Sequence, residues 1–195
     1  MKGYVSGEQA APLALISCLA VSGSLRQASS NTLLLDIAAT LAPAGMSINI
    51  FKSLGELPHF NPDLDLLQSQ AVRTWIAEVR QAHGFIVSTP EYAHGLPGTL
   101  KNGLDWLVGS DAFINKPFML LNATSRSTYA HESLVEILST MSGVHIKAAS
   151  TTIPLLGSNP DEWSVIIQQK YAEQIRASLN VFAESIRDRM RRLED

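Results

Sequence analysis

A single cysteine, Cys18, in 195 residues excludes an internal disulfide and any zinc site built on several thiolates. It lies in an apolar run and reads as a small buried hydrophobe rather than a redox group. The five histidines, at 59, 83, 94, 131 and 145, make no H-E-x-x-H or related spacing, so no metal site is expected. No apolar run reaches the roughly 20 residues that a membrane-spanning helix needs. Neither charge dominates: 15 Lys and Arg against 18 Asp and Glu leave a net −3, which gives no electrostatic case for nucleic acid or an anionic membrane as partner. G-x-G-x-x-G and the Walker lysine motif are missing, which disfavours a dinucleotide Rossmann site and a nucleoside-triphosphate site. Ser22-Gly-Ser24 is not the G-x-S-x-G elbow of a hydrolase either.

What is there suits one well-filled core. Hydrophobic residues make up 46% of the chain, and its length favours a single domain over two. Residues 1–12, polar and rich in small side chains, read as a flexible N-terminal leader without a basic start or an apolar signal core, which points to the cytoplasm. Residues 13–195 read as the domain. Leu13 to Val21 is a continuous apolar run, the pattern of a central parallel strand. Met46–Phe51, Gly84–Ser88, Pro117–Ala123 and Val144–Ser150 supply four more strands, the last at an edge. Between them, apolar residues recur at helical spacing: Leu33, Leu34, Ile37 and Leu41, then Val72, Trp75, Ile76 and Val79, then Leu96 to Leu107, then Leu134, Leu138 and Met141. A last helix from about Asp161 carries Ile167, Tyr171, Ile175, Leu179, Phe182, Ile186 and Met190 on one stripe. Strands and helices alternate throughout, so the expected fold is a three-layer α/β sandwich on a parallel sheet.

In such a sheet, ligands bind beyond the carboxyl ends of the strands, where strand order reverses. For the flavodoxin-like order 2-1-3-4-5 that point lies between the first and third strands, whose following loops are residues 22–31 and 89–97. The first loop offers Ser22, Ser24, Ser29 and Asn31 as hydroxyl and amide donors, Gly23 for close backbone approach and Arg26 as a fixed cation. A helix N-terminus behind it favours a bound dianion. The plainer reading is a polar turn with a serine cap and a solvated arginine. The second loop, Pro90, Glu91, Tyr92, Ala93, His94 and Gly95, suits a flat heteroaromatic ring, with backbone donors for ring carbonyls and Tyr92 at the ring's edge. Its plainer reading is a surface loop whose prolines end one element and start the next. Side by side, the two loops describe a mononucleotide with a planar base, flavin mononucleotide (FMN).

Gly23-Ser-Leu-Arg26 with Ser29 and Asn31, followed by Thr89-Pro-Glu-Tyr92, Leu96-Pro-Gly98, Leu100-Lys-Asn102 and Asp105-Trp106, resembles the NADPH-dependent FMN reductase family, which includes chromate, quinone and azo reductases. The resemblance runs over about residues 13 to 185. It implies a flavodoxin-like fold, non-covalent FMN, and NADPH or NADH as co-substrate in a ping-pong cycle that ends on a small-molecule electron acceptor. It also implies a homodimer or homotetramer packed partly through the helix of Leu96 to Leu107. Ser24, Arg26, Ser29 and Asn31 would hold the phosphate, and Pro90, Glu91 and Tyr92 would line the ring. Two departures stand out: Ala93 and His94 replace the Asn and small residue that follow the tyrosine in many relatives, and residues 122–128 lack the glycines common there. No catalytic acid or base is assigned, with His94 the nearest candidate proton donor. The rival reading is an FMN-binding electron carrier or redox-sensing regulator without nicotinamide turnover.

Overall fold

The computed structural model describes residues 14–64, 69–155 and 160–194. The expected leader, residues 1–12, lies outside them. The apolar runs form parallel strands β1 (Ile16–Ser22), β2 (Met46–Phe51), β3 (Gly84–Ser88), β4 (Pro117–Asn122) and β5 (Val144–His145), in the order β2-β1-β3-β4-β5. This is the order expected from the sequence. β1, β3 and β4 are buried along nearly their whole length, as central strands covered on both faces must be, whereas the edge strand β2 alternates.

The helical spacings become α1 (Ser30–Thr40), α2 (Gln70–Gln81), α3 (Gly98–Val108) and α4 (Thr128–Thr140), followed by a short α5 (Trp163–Ile166) and a long α6 (Ala172–Glu194). Successive strand residues face opposite ways and so fill two cores. Leu19, Val21, Phe85, Val87 and Phe118 pack under α2, α3 and α4. Cys18, Ala20, Ile86, Met119 and Leu121 pack under α1 and α6. Burial pushes the Cys18 thiol up to about 12, which keeps it protonated and inert. At Gly84 a Cβ would stand 2.6 Å from Ile186 Cδ1, so this glycine is what lets α6 lie close on the sheet.

Three boundaries depart from the sequence reading. β1 starts at Ile16 because its first rung with β2 is Ile16 to Met46; Leu15, before that rung, is 80% exposed. Val144–Ser150 is not one strand. After His145 the chain makes a 3₁₀ turn, Lys147–Ala149, that buries Ala149, and resumes as a two-residue strand β6 (Thr151–Thr152) on Leu121 and Asn122 of β4. Ser150 Oγ accepts from Leu120 N at 3.0 Å, so a side chain replaces a ladder carbonyl at the break. The last helix is likewise interrupted, by a π turn at Ile167–Tyr171 between α5 and α6. Its apolar stripe still holds, with Ile167, Ile175, Leu179, Phe182 and Ile186 buried. Among the described residues no helix is long and apolar enough to cross a membrane.

Two imidazoles tie the fold to pH. His145 stacks on Phe118 with ring centroids 4.9 Å apart, and burial, then His131 and Lys147, hold its pKa below the ordinary 6.5. Burial also lowers His131, against the partial opposition of Glu132. As pH falls through the ordinary value, the unfolded chain takes up protons before the folded one does. The stability from neutral His131 and His145 is therefore complete above about pH 6.5 and drains away below it. Denaturant midpoints are expected to fall between about pH 7.5 and 5.5, and less steeply in His131→Gln; a flat midpoint across that window contradicts the assignment.

Candidate functional site

The two loops expected to meet do so at the carboxyl edge of the sheet. Ser22 of β1 is in register with Ser88 of β3, and Gly23 N donates to Ser88 O at 2.9 Å. A Cβ on Gly23 would lie 2.1 Å from Thr89 Oγ1 and 2.8 Å from Thr89 Cβ, so only glycine leaves room for the Thr89 side chain here. Ser88 Oγ, itself buried, donates to Asn31 Oδ1 at 3.0 Å and ties β3 to the first turn of α1. The serine oxygens of the first loop accept hydrogen bonds from the loop and from the first turn of α1. Ser29 is the N-cap of α1 and accepts from Thr32 N, Ser24 Oγ accepts from Arg26 N, and Ser22 Oγ accepts from Thr32 Oγ1 at 2.8 Å. They fix the shape of the turn that displays Arg26, which is exposed.

A cleft of about 510 Å³ opens where these loops end. Arg26, Asn31, Pro90 and Glu91 of the sequence-predicted set line it, while Ser22, Ser24 and Ser29 are buried in the loop's own bonding. The loop after β4 supplies the opposite wall, through Thr124, Arg126 and Ser127, and Trp163 of α5 closes one side. Neither the Arg26 nor the Arg126 guanidinium has an ion-pair partner among the described residues. Arg126 was within reach of the sequence, since it sits in a Thr/Ser/Arg loop at the end of the strand next to β3. Trp163 was not, because nothing in its local pattern separates it from a core residue.

Tyr92, Ala93, His94 and Gly95 form a tight turn beside the cleft. Tyr92 N donates to Gly95 O and Gly95 N to Tyr92 O, each at 3.0 Å. Ala93 and His94 have φ of 49° and 59°, so two residues with side chains occupy the left-handed region that such a turn requires at both centres. Neighbouring contacts hold this strained geometry. His94 stacks on Tyr129 of α4, centroids 4.2 Å apart, and Glu91 Oε2 accepts from Ala130 N at 2.9 Å. Ser127, the N-cap residue of α4, makes no side-chain cap bond, so Glu91 caps that helix from another loop.

The remaining motif residues brace the site from behind. Asn102 accepts from Phe60 N at 2.7 Å and donates to Pro58 O at 3.0 Å, and Trp106 Nε1 also donates to Pro58 O, at 2.8 Å. The Asn and Trp of α3 thus clamp the loop after β2. Leu100, Leu104, Trp106 and Leu107 are buried within this chain, which leaves Lys101, paired with Asp105, and exposed Val108 on the outer side of α3. No cluster of three or more His, Cys, Asp or Glu able to hold a metal occurs among the described residues.

An open parallel sheet with an arginine-bearing cleft at its switch point defines a flavodoxin-like α/β protein. The model of the NADPH-dependent FMN reductase family matches residues 16–155, and the chain belongs to that family. A quinone reductase of Escherichia coli (strain K12) is 36% identical over 87 residues, 44% of this chain and 46% of that protein. An NAD(P)H-dependent FMN reductase of Pseudomonas aeruginosa is 36% identical over 113 residues, 56% of this chain and 60% of that one. The matched stretch spans about half the length of these curated relatives. The solved FerB flavoenzyme NAD(P)H:(acceptor) oxidoreductase of Paracoccus denitrificans shares the fold, with TM-score 0.76 at 23% identity over 89% of this chain and 98% of that one.

Glu91→Ala is expected to lower stability by about 1 kcal/mol, the worth of a helix cap, in equilibrium urea unfolding. An unchanged midpoint would show that the carboxylate does not cap α4.

Proposed function

We propose that the chain is an NAD(P)H-dependent oxidoreductase that holds FMN non-covalently and reduces a small-molecule acceptor of the quinone, flavin or azo type. The observation that carries this reading is the cleft itself: two guanidinium groups without ion-pair partners among the described residues, Arg26 and Arg126, at the N-terminal end of α1, beside the loop after β3. Its volume falls within the ~300–1,000 Å³ of small-molecule sites. A Cβ on Gly98 would meet nothing within 4 Å, and one on Gly95 only Tyr92 O at 3.7 Å, so there is room for a flat ring beside the turn. The names of the relatives, among them a 2-hydroxy-1,4-benzoquinone reductase of a Burkholderia species and an NADPH azoreductase of a Bacillus species, support the acceptor class.

Bound there, FMN would supply the two-electron chemistry between nicotinamide and acceptor. The residues of the chain bind and orient it. Arg26, Arg126 and the N–H groups of Ser30 and Asn31 at the start of α1 hold the phosphate, since those of Thr32 and Leu33 already donate to Ser29. Pro90 and the Tyr92–Gly95 turn flank the ring, and the His94–Tyr129 stack fixes the turn's position. Ser22, Ser24 and Ser29 act through the loop they shape. We further infer that residues 13–195 act as one domain, that the protein is a homodimer or homotetramer, and that it works in the cytoplasm, where a lone unpaired cysteine is at home. A second copy packing along α3 would meet its outer side, where Val108 is 66% exposed and Ile114 beyond it 55%.

Protein loaded with FMN is expected to lose its yellow colour anaerobically on addition of NADPH or NADH and to regain it on addition of a benzoquinone. Protein that takes up no FMN would remove the reading. Colour that neither nicotinamide bleaches would assign the chain to electron carriers or regulators instead.

A further inference from the structure

The chain has three tryptophans, and two of their indole N–H groups are satisfied internally: Trp75 Nε1 donates to Gly103 O at 2.7 Å and Trp106 Nε1 to Pro58 O at 2.8 Å. The third, Trp163 Nε1, is shielded from solvent and has no hydrogen-bond partner, the sole such side-chain atom among the described residues. A buried donor left unpaired is costly, and native structures rarely keep one without a use for it. Its position suggests the use. Trp163 lines the same cleft as Arg26 and Arg126, on α5, which packs against α1, the helix whose N-terminus opens there.

The charges around it select the partner. Two guanidinium groups, Arg26 and Arg126, against one carboxylate, Glu91, leave that space net cationic. An anionic oxygen is the acceptor such surroundings favour. The element carrying Trp163 is also short and irregular. α5 is four residues long and runs into the π turn Ile167–Tyr171, a helical irregularity frequent at functional sites.

We propose that Trp163 is a phosphate-binding residue, its indole N–H completing with Arg26 and Arg126 the donor set for the phosphate ester of the bound mononucleotide. The inference rests on the flavin reading and adds to it a residue from outside the two loops at the switch point. The bond satisfies an otherwise orphaned donor, and it joins the short helix after β6 to the same ligand that the loops after β1, β3 and β4 surround.

Trp163→Phe keeps an aromatic side chain and removes the donor, and riboflavin binding reports any cost of the smaller ring. FMN affinity is expected to fall by about tenfold or more, as for a hydrogen bond to a charged group, with the affinity for riboflavin, which lacks the phosphate, unchanged. In the wild-type protein labelled with ¹⁵N at the indoles, FMN should shift the resonance that Trp163→Phe deletes and slow its solvent exchange, leaving the exchange of Trp75 and Trp106 as it was. Equal FMN affinity in variant and wild type, or a parallel loss of FMN and riboflavin, overturns the assignment while the flavin reading stands. A wild-type protein that binds no FMN overturns both.

Discussion

The contact between Gly23 and Thr89 is the constraint on which the site depends. β1 and β3 are neighbours in the sheet, and their loops leave it side by side, with Gly23 N bonded to Ser88 O. Because Gly23 has no Cβ, Thr89 can occupy the space that a side chain would fill. Asn31 then reaches Ser88, which sets the start of α1 against the end of β3. The arginine loop and the proline loop thereby become two walls of one cleft.

The rest of the chain keeps those walls in place. The buried central strands fix where the loops begin, and two apolar cores hold helices on either face. Asn102 and Trp106 pin the loop after β2 behind α3. Glu91 reaches across to cap α4, and His94 stacks on Tyr129, so the loop after β3 is joined to the helix that follows β4. The left-handed backbone at Ala93 and His94 persists because these contacts on both sides over-determine it. The His94–Tyr129 stack thus joins a left-handed residue to α4.

Much of the fold was legible in the sequence because central parallel strands and amphipathic helices leave strong periodic marks. The segment 144–150 misled because its alternation is shared by a short strand and a tight turn; the outcome was decided by Ala149 entering the core and Ser150 Oγ replacing a ladder carbonyl. At the proposed site, composition pointed to the two loops but not to the hydrogen bonds within them. Ser22, Ser24 and Ser29 have the chemistry of ligand donors, and in the structure their oxygens also accept the bonds that shape the loop. Glu91 likewise caps a helix 39 residues away in sequence, a partnership no local pattern announces. Trp163 enters the cleft through tertiary packing alone, whereas Arg126 stands in the loop 122–128 that the sequence already marked as unusual.

The central claim is that a mononucleotide binds where Gly23 lets the two loops close on each other. Titrating FMN into Gly23→Ala, with far-UV circular dichroism to confirm that the sheet and helices persist, tests it most directly. The account predicts a folded protein whose FMN affinity is reduced by about tenfold or more, equivalent to ~1.4 kcal/mol, because a Cβ 2.1 Å from Thr89 Oγ1 forces the walls apart. A folded Gly23→Ala protein that binds FMN as tightly as the wild type would contradict it.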